Sequence, residues 1–136
     1  NLGRERQAER AVEALVRYLD SGAPPERVSI SSDAGGCLPC FDQHGRVCGM
    51  DVGSAGALLA AMRELLGAGM ALEAMLPAFT SNPARVLRLP DKGKIVAGAD
   101  ADLVALDATG GADTVIIRGA VHVRGGRAVR RGTFES

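Results

Sequence analysis

Between positions 33 and 48 the chain gathers Asp33, Cys37, Cys40, His44 and Cys48, residue types able to move protons or bind metals. Asp33 directly follows Val28-Ser29-Ile30-Ser31-Ser32 and precedes Ala34-Gly35-Gly36. A carboxylate at the end of a strand, entering a glycine-rich loop, is where α/β barrels place catalytic groups. Such an Asp can take a proton from an activated water and later deliver it to a leaving amine. The same position equally suits a turn former or a helix cap.

The second candidate is Cys37-x2-Cys40-x3-His44-x3-Cys48, four donors of the kind that surround tetrahedral zinc. A small zinc-stabilised interaction module would use all four. Its later gaps are shorter than those of nucleic-acid-binding zinc knuckles, and basic and aromatic companions are missing. A Cys37/Cys40 redox dithiol would want its first Cys at a helix N-terminus, which Pro39 and the surrounding loop oppose. Ordinary small side chains in a long loop are the plain alternative.

The remaining reactive types have no partners in sequence. His44 and His122 lie far apart and do not form the close pair of a hydrolytic metal site. His122 alternates with Val121 and Val123, which predicts the solvated face of a strand. Ser31 and Ser32 have no evident base. Gly35-Gly36 and Gly125-Gly126 are too short to cradle a phosphate. Arg124, Arg127, Arg130 and Arg131 read as a solvated hairpin face.

Composition narrows the classes further. Sixteen basic residues balance sixteen acidic ones, so no basic excess serves a nucleic-acid backbone. Aromatic content of 3% with no Trp removes the stacking platforms of single-strand binders. No apolar run approaches the roughly 20 residues of a membrane span. Three cysteines do not make a disulfide framework, which favours a reduced, cytoplasmic setting. The charged opening NLGRERQAER is unlike a secretory signal. Position 1 is not Met, so a piece of a longer chain is expected.

The elements that must position these residues follow from periodicity. Ala8, Ala11, Val12, Leu15, Val16 and Leu19 predict an amphipathic helix over 4–21, ended by Ser21-Gly22 and Pro24-Pro25. Residues 28–32 read as a strand, and 34–53 as an irregular loop with room for a small hairpin. A second helix opens near Ser54 as its N-cap and buries Leu58, Leu59, Met62, Leu65 and Leu66. A short helix over 72–76 leads to Pro77. Thr80-Ser81-Asn82-Pro83 begins another, with a polar cap before the Pro. Beyond Pro90 the segments 94–96, 102–106, 115–117 and 121–123 predict short strands, with Gly125-Gly126 as a hairpin turn.

Three segments together are similar to the closing signature of the amidohydrolase superfamily: 80–87 (TSNPARVL), 92–95 (KGKI) and 98–104 (GADADLV). Narrower still, 28–39 (VSISSDAGGCLP), 41–45 (FDQHG) and the ending 132–135 (GTFE) resemble isoaspartyl (β-aspartyl) dipeptidases. The resemblance implies an α/β fold. Residues 1–90 would be the C-terminal segment of a metal-dependent hydrolase (β/α)8 (TIM) barrel, its last strand and helices. Residues 91–136 would be short strands of the small β-sandwich domain.

The resemblance also implies hydrolysis of isoaspartyl dipeptides. Asp33 would be the catalytic residue, ending the eighth barrel strand, touching the metal centre and shuttling the proton. Gly36 and Cys37 would bind substrate. Cys37 stands where the family has a Ser that helps hold the substrate's carboxylate, and a thiol is the weaker donor. Ala34 replaces a usual Gly, which requires a negative φ there. A different amide or cyclic amide is the alternative substrate class.

A whole barrel needs about 250 residues. The remaining metal ligands are therefore expected upstream, and the two divalent ions, zinc by resemblance, would bind only the intact enzyme. This chain alone would bind none and be inactive. A cut barrel would expose Leu58, Met62 and Leu65, so a homo-oligomer, or association with the missing portion, is expected. Nucleic-acid and membrane partners are not.

Overall fold

The computed structural model describes residues 2–132, with residues 2–10 represented by their helical backbone alone. Ala8 of the expected apolar stripe, and residues 133–135 of the family-like ending, thus fall outside what is described here. Helix α1 spans Leu2–Asp20. Val12 and Leu15 are its buried residues, with Val16 and Leu19 packed beside them. It ends where Gly22 takes a left-handed φ of 74°, as helix C-termini often do. Ser21 Oγ donates to the Tyr18 carbonyl, and Tyr18 Oη donates to Pro24, tying the exit of the helix to the next turn.

A short 3-10 turn, Pro25–Arg27, leads into residues 28–33. This segment was expected to be a strand, yet it forms no ladder among the described residues. Its β-branched composition favours extension, but a strand is defined by its neighbour, and no other described strand pairs with it. It is held by helices instead: Ile30 N–H donates to the Ala78 carbonyl at 3.1 Å.

Residues expected to be mostly loop form a hairpin. β1 (Cys37–Phe41) pairs antiparallel with β2 (Val47–Val52), with a bulge between Cys40 and Phe41. Asp42 closes the turn, its Oδ1 accepting from the His44 and Arg46 amides at 2.8 and 2.9 Å.

Helix α2 (Ala57–Gly67) starts later than Ser54. The Ser54 carbonyl accepts from Ala57 in a preceding turn, leaving Gly56 as the N-cap. Ala61 and Leu65 are its buried residues, while Leu58, Leu59, Met62 and Leu66 are half-buried. The predicted exposure of Leu58, Met62 and Leu65 is therefore corrected: α1 packs against α2 and covers this face.

Helix α3 (Leu72–Phe79) runs through Pro77 rather than stopping before it. Pro77 forfeits one helical hydrogen bond, but continuation lets Ala78 bury beside Met75. In α4 (Ser81–Val86) the N-cap Thr80 does not cap with its side chain. Its hydroxyl donates back to Leu76 at 2.8 Å.

Beyond α4 an irregular stretch over 87–102 contains the expected strand 94–96, which does not form. Ile95 is instead one of the most exposed apolar residues. Then β3 (Leu103–Leu106), β4 (Ala112–Ile117), β5 (Ala120–Arg124) and β6 (Arg127–Ala128) form an antiparallel meander in sequence order. Gly125 and Gly126, both at positive φ, make the predicted two-residue turn. His122 departs from expectation. One step along β4, from Val115 to Ile116, spans two along β5, from Val123 to Val121, so His122 is the bulged residue and half-buried. Among the described residues no helix is long and apolar enough to cross a membrane.

Candidate active site

Asp33 sits at the end of the extended segment with φ 47°, a left-handed conformation that Asp tolerates better than most residues. Its backbone makes the turn. The amide donates to Ser31 Oγ at 3.1 Å, and the carbonyl accepts from Gly36 N–H at 2.9 Å. Ala34 is not among the positive-φ residues, so replacing a family Gly there carries no left-handed strain.

Three glycines shape this corner. Gly35 N–H donates to Gly53, and Gly53 N–H donates to Gly36, both at 3.0 Å, which clamps the Asp33 turn to the foot of the β1–β2 hairpin. A methyl group on Gly53 would stand 1.9 Å from the Asp33 carbonyl oxygen. One on Gly36 would stand 2.5 Å from Asp33 Oδ1 and 2.7 Å from Oδ2. The carboxylate thus folds over Gly36, and any side chain at 36 would push it away. The Asp33 carboxylate is exposed and takes part in no hydrogen bond or ion pair among the described residues.

Cys37 follows immediately, exposed at the start of β1 and paired with Val52. Asp33, Gly36 and Cys37 are therefore brought to one corner. The four-residue zinc set is not brought together. Among the described residues no group of three or more His, Cys, Asp or Glu side chains could hold a metal ion. The reason is strand geometry. Cys37 and Cys40, three apart on β1, point to opposite faces. His44 lies exposed in the turn, its ring within 3.3 Å of the Gln43 amide. The structure therefore does not gather Cys37, Cys40, His44 and Cys48 into one four-donor set. Nor do the described residues make a complete two-metal centre: Asp33 has no companion ligands grouped with it among them.

Asn82 is a structural tie beside the site that sequence reasoning missed. It is 4% exposed, the one buried polar side chain among the described residues. Its Nδ2 donates to the Pro25 and Val28 carbonyls at 2.8 and 2.7 Å. It thereby fastens α4 to the start of the segment that ends in Asp33. A signal was present: Met75, Ala78 and Asn82 follow helical spacing, placing a polar residue in line with an apolar stripe.

Residues 92–102, part of the family-like signature, build another polar cluster. Lys92 Nζ pairs with Asp100 Oδ2 at 2.7 Å and with Asp102 Oδ2. Asp102 Oδ1 accepts from the Arg118 amide at 2.7 Å, joining the irregular stretch to the β4–β5 turn. The hydrogen bond to Asp100, then that to Asp102, holds the Lys92 ammonium above its ordinary pKa. Lys92, then the Arg118 amide, holds Asp102 below the usual carboxylate value. Arg124, Arg127, Arg130 and Arg131 are all exposed.

Residues 4–124 match the profile of the amidohydrolase family. Among solved structures, a β-aspartyl dipeptidase from Fervidobacterium islandicum AW-1, in complex with the β-Asp-Leu dipeptide, is 37% identical with a TM-score of 0.80. The match covers 91% of this chain and 32% of that one. A second structure of β-aspartyl dipeptidase from this bacterium is 32% identical, with a TM-score of 0.72 over 91% of this chain and 30% of that one. An N-acetylglucosamine-6-phosphate deacetylase from Thermotoga maritima, 19% identical with a TM-score of 0.61 over 83% of this chain and 35% of that one, shares the fold. The chain thus spans about a third of the length of the dipeptidases it matches, and its helices and sheets have the α/β form of their C-terminal portion.

Proposed function

Because this chain belongs to the amidohydrolase family, we propose that it is the C-terminal portion of an isoaspartyl (β-aspartyl) dipeptidase, contributing the proton-carrying carboxylate and part of the substrate pocket. The observation that carries this reading is 37% identity over 91% of the chain with a dipeptidase solved in complex with β-Asp-Leu. The deacetylase likeness, at 19% identity, supports the fold and favours no second substrate.

In this reading Asp33 Oδ takes the proton of the attacking water and returns it to the leaving amine nitrogen. The turn prepares it for that work. Its backbone is committed to Ser31 and Gly36, while its carboxylate stays free of competing donors. Gly36 leaves room for the carboxylate and for a substrate to approach closely. Cys37 lies at the mouth of the corner, where its thiol offers a weak donor to the substrate's carboxylate.

The divalent metal ions the family generally uses, zinc being our choice, would be held mainly by residues outside 2–132. Activity then requires association with a barrel portion or a larger polypeptide containing it. A small isoaspartyl dipeptide, a homo-oligomeric assembly and a cytoplasmic setting complete the reading.

The test is β-Asp-Leu hydrolysis by a polypeptide in which this segment is joined to its barrel. Asp33→Asn keeps the shape of the side chain and removes its basicity. Turnover should fall by about 10²–10⁴-fold, the typical share of a positioned acid–base group. Near-normal turnover would end the assignment.

A further inference from the structure

The Cys-x2-Cys spacing singles out Cys37 and Cys40, but the hairpin brings a different pair together. At the β1–β2 bulge, Cys40 is opposite Gly49 and Phe41 is opposite Val47, so Cys48 is the extra residue, crowded with Gly49 against Cys40. A methyl carbon at Gly49 would stand 3.8 Å from Cys40 Cβ, inside the roughly 3.5–4.5 Å that disulfides span. Cys48 shares that side of the ladder. Its Sγ donates to the backbone carbonyl of Cys40 at 3.4 Å. Cys40 is half-buried and Cys48 exposed. Cys37 lies on the opposite face of β1 from Cys40.

We propose that Cys40 and Cys48 form an exchangeable dithiol that closes to a disulfide across the bulge by reaction with a low-molecular-weight disulfide such as oxidised glutathione. Cys48 thiolate attacks one glutathione sulfur, the glutathione S–S bond breaks, and one glutathione thiolate leaves. Cys40 thiolate then attacks Cys48 Sγ, forming the Cys40–Cys48 bond and releasing the second glutathione thiolate. Two protein thiols are oxidised and one glutathione disulfide is reduced to two thiols, which take up the protons lost.

The experiment equilibrates the reduced chain with oxidised and reduced glutathione, alkylates free thiols and digests with trypsin. Cleavage after Arg27, Arg46 and Arg63 places Cys40 in peptide 28–46 and Cys48 in peptide 47–63. The expected product carries no glutathione and joins these two peptides through Cys40. The link persists in Cys37→Ser and vanishes in both Cys40→Ser and Cys48→Ser, two separate variants with circular dichroism like that of the parent. In guanidinium the pairing should spread over all three cysteines. Glutathione adducts without the link, a pair that includes Cys37, or the same mixture in buffer and in denaturant would overturn the proposal.

Discussion

Leu65 on α2 and Met50 on β2 carry side chains of similar size and apolar character, yet Leu65 is 0% exposed and Met50 is 63% exposed. The contrast extends to the regions they stand for. Every buried apolar residue among those described lies on α1, α2, α3 or α4: Val12, Leu15, Ala61, Leu65, Met75, Ala78 and Ala84. The strands bury none. On the hairpin, Cys37 with Val52, Pro39 with Met50 and Phe41 with Val47 line one exposed face. An α-helix satisfies its own backbone and needs only one covering neighbour for its apolar stripe, which α1 and α2 provide for each other. A two-stranded hairpin has no second layer unless another element supplies one. The helices therefore settle around a core of their own, whereas the strands remain apolar surfaces.

The sharpest way to break this contrast is to attack its buried side. Leu65→Ala removes a side chain enclosed by α1 and α3 residues and should cost about 2–5 kcal/mol, the usual range for a buried Leu. Urea denaturation followed by circular dichroism measures it. A cost under about 0.5 kcal/mol would mean that the helical layer is not the folding core.

How much of this was legible depends on whether the signal is local. Helix α1 and the β5–β6 turn follow from apolar spacing and from the Gly125-Gly126 pair within a few residues, and the structure agrees with both. The 28–32 run carries strand composition, but pairing is a property of a neighbour, and composition cannot supply one. The 37–52 hairpin was legible only as a small hairpin within a loop, because glycines at 45, 49 and 53 read as loop although Gly49 lies within β2. At the candidate site, the turn at Asp33 was legible from its place between a β-like run and a glycine-rich segment. Gly53, twenty residues away, holds the same turn through a 1.9 Å steric limit that no short window of sequence expresses.

A middle case lies between core and bare surface. The Lys92–Asp100–Asp102 cluster helps pin the irregular stretch 87–102 to the sheet through polar contacts. Asp102 is depressed below its ordinary 3.8 when folded, so its contribution is present above that value and lost as pH falls through the folded pKa. Lys92 is raised above 10.5, so its contribution is complete below that value and lost as pH climbs through the folded pKa. Thermal midpoints should be flat with respect to this cluster between those limits and decline outside them. Lys92→Met should make both declines shallower. Unchanged profiles would show that the sheet is attached by something other than these charges.

The smallest expected effect on stability falls on the exposed side, and it is informative for that reason. Met50→Lys places a charge at a position 63% exposed, opposite Pro39, where no core contact is lost. The unfolding free energy should stay within about 0.5 kcal/mol of the parent, as for most surface substitutions. Self-association is a different matter. An apolar face of Phe41, Val47, Met50 and Val52 invites contact with other chains, and a lysine at its centre carries a desolvation cost into any such contact. Sedimentation velocity over a concentration series should therefore show less association in Met50→Lys than in the parent, at unchanged stability. A loss of stability comparable to that of Leu65→Ala would instead place Met50 in a packed interior, and the division between buried helices and uncovered strands would fail.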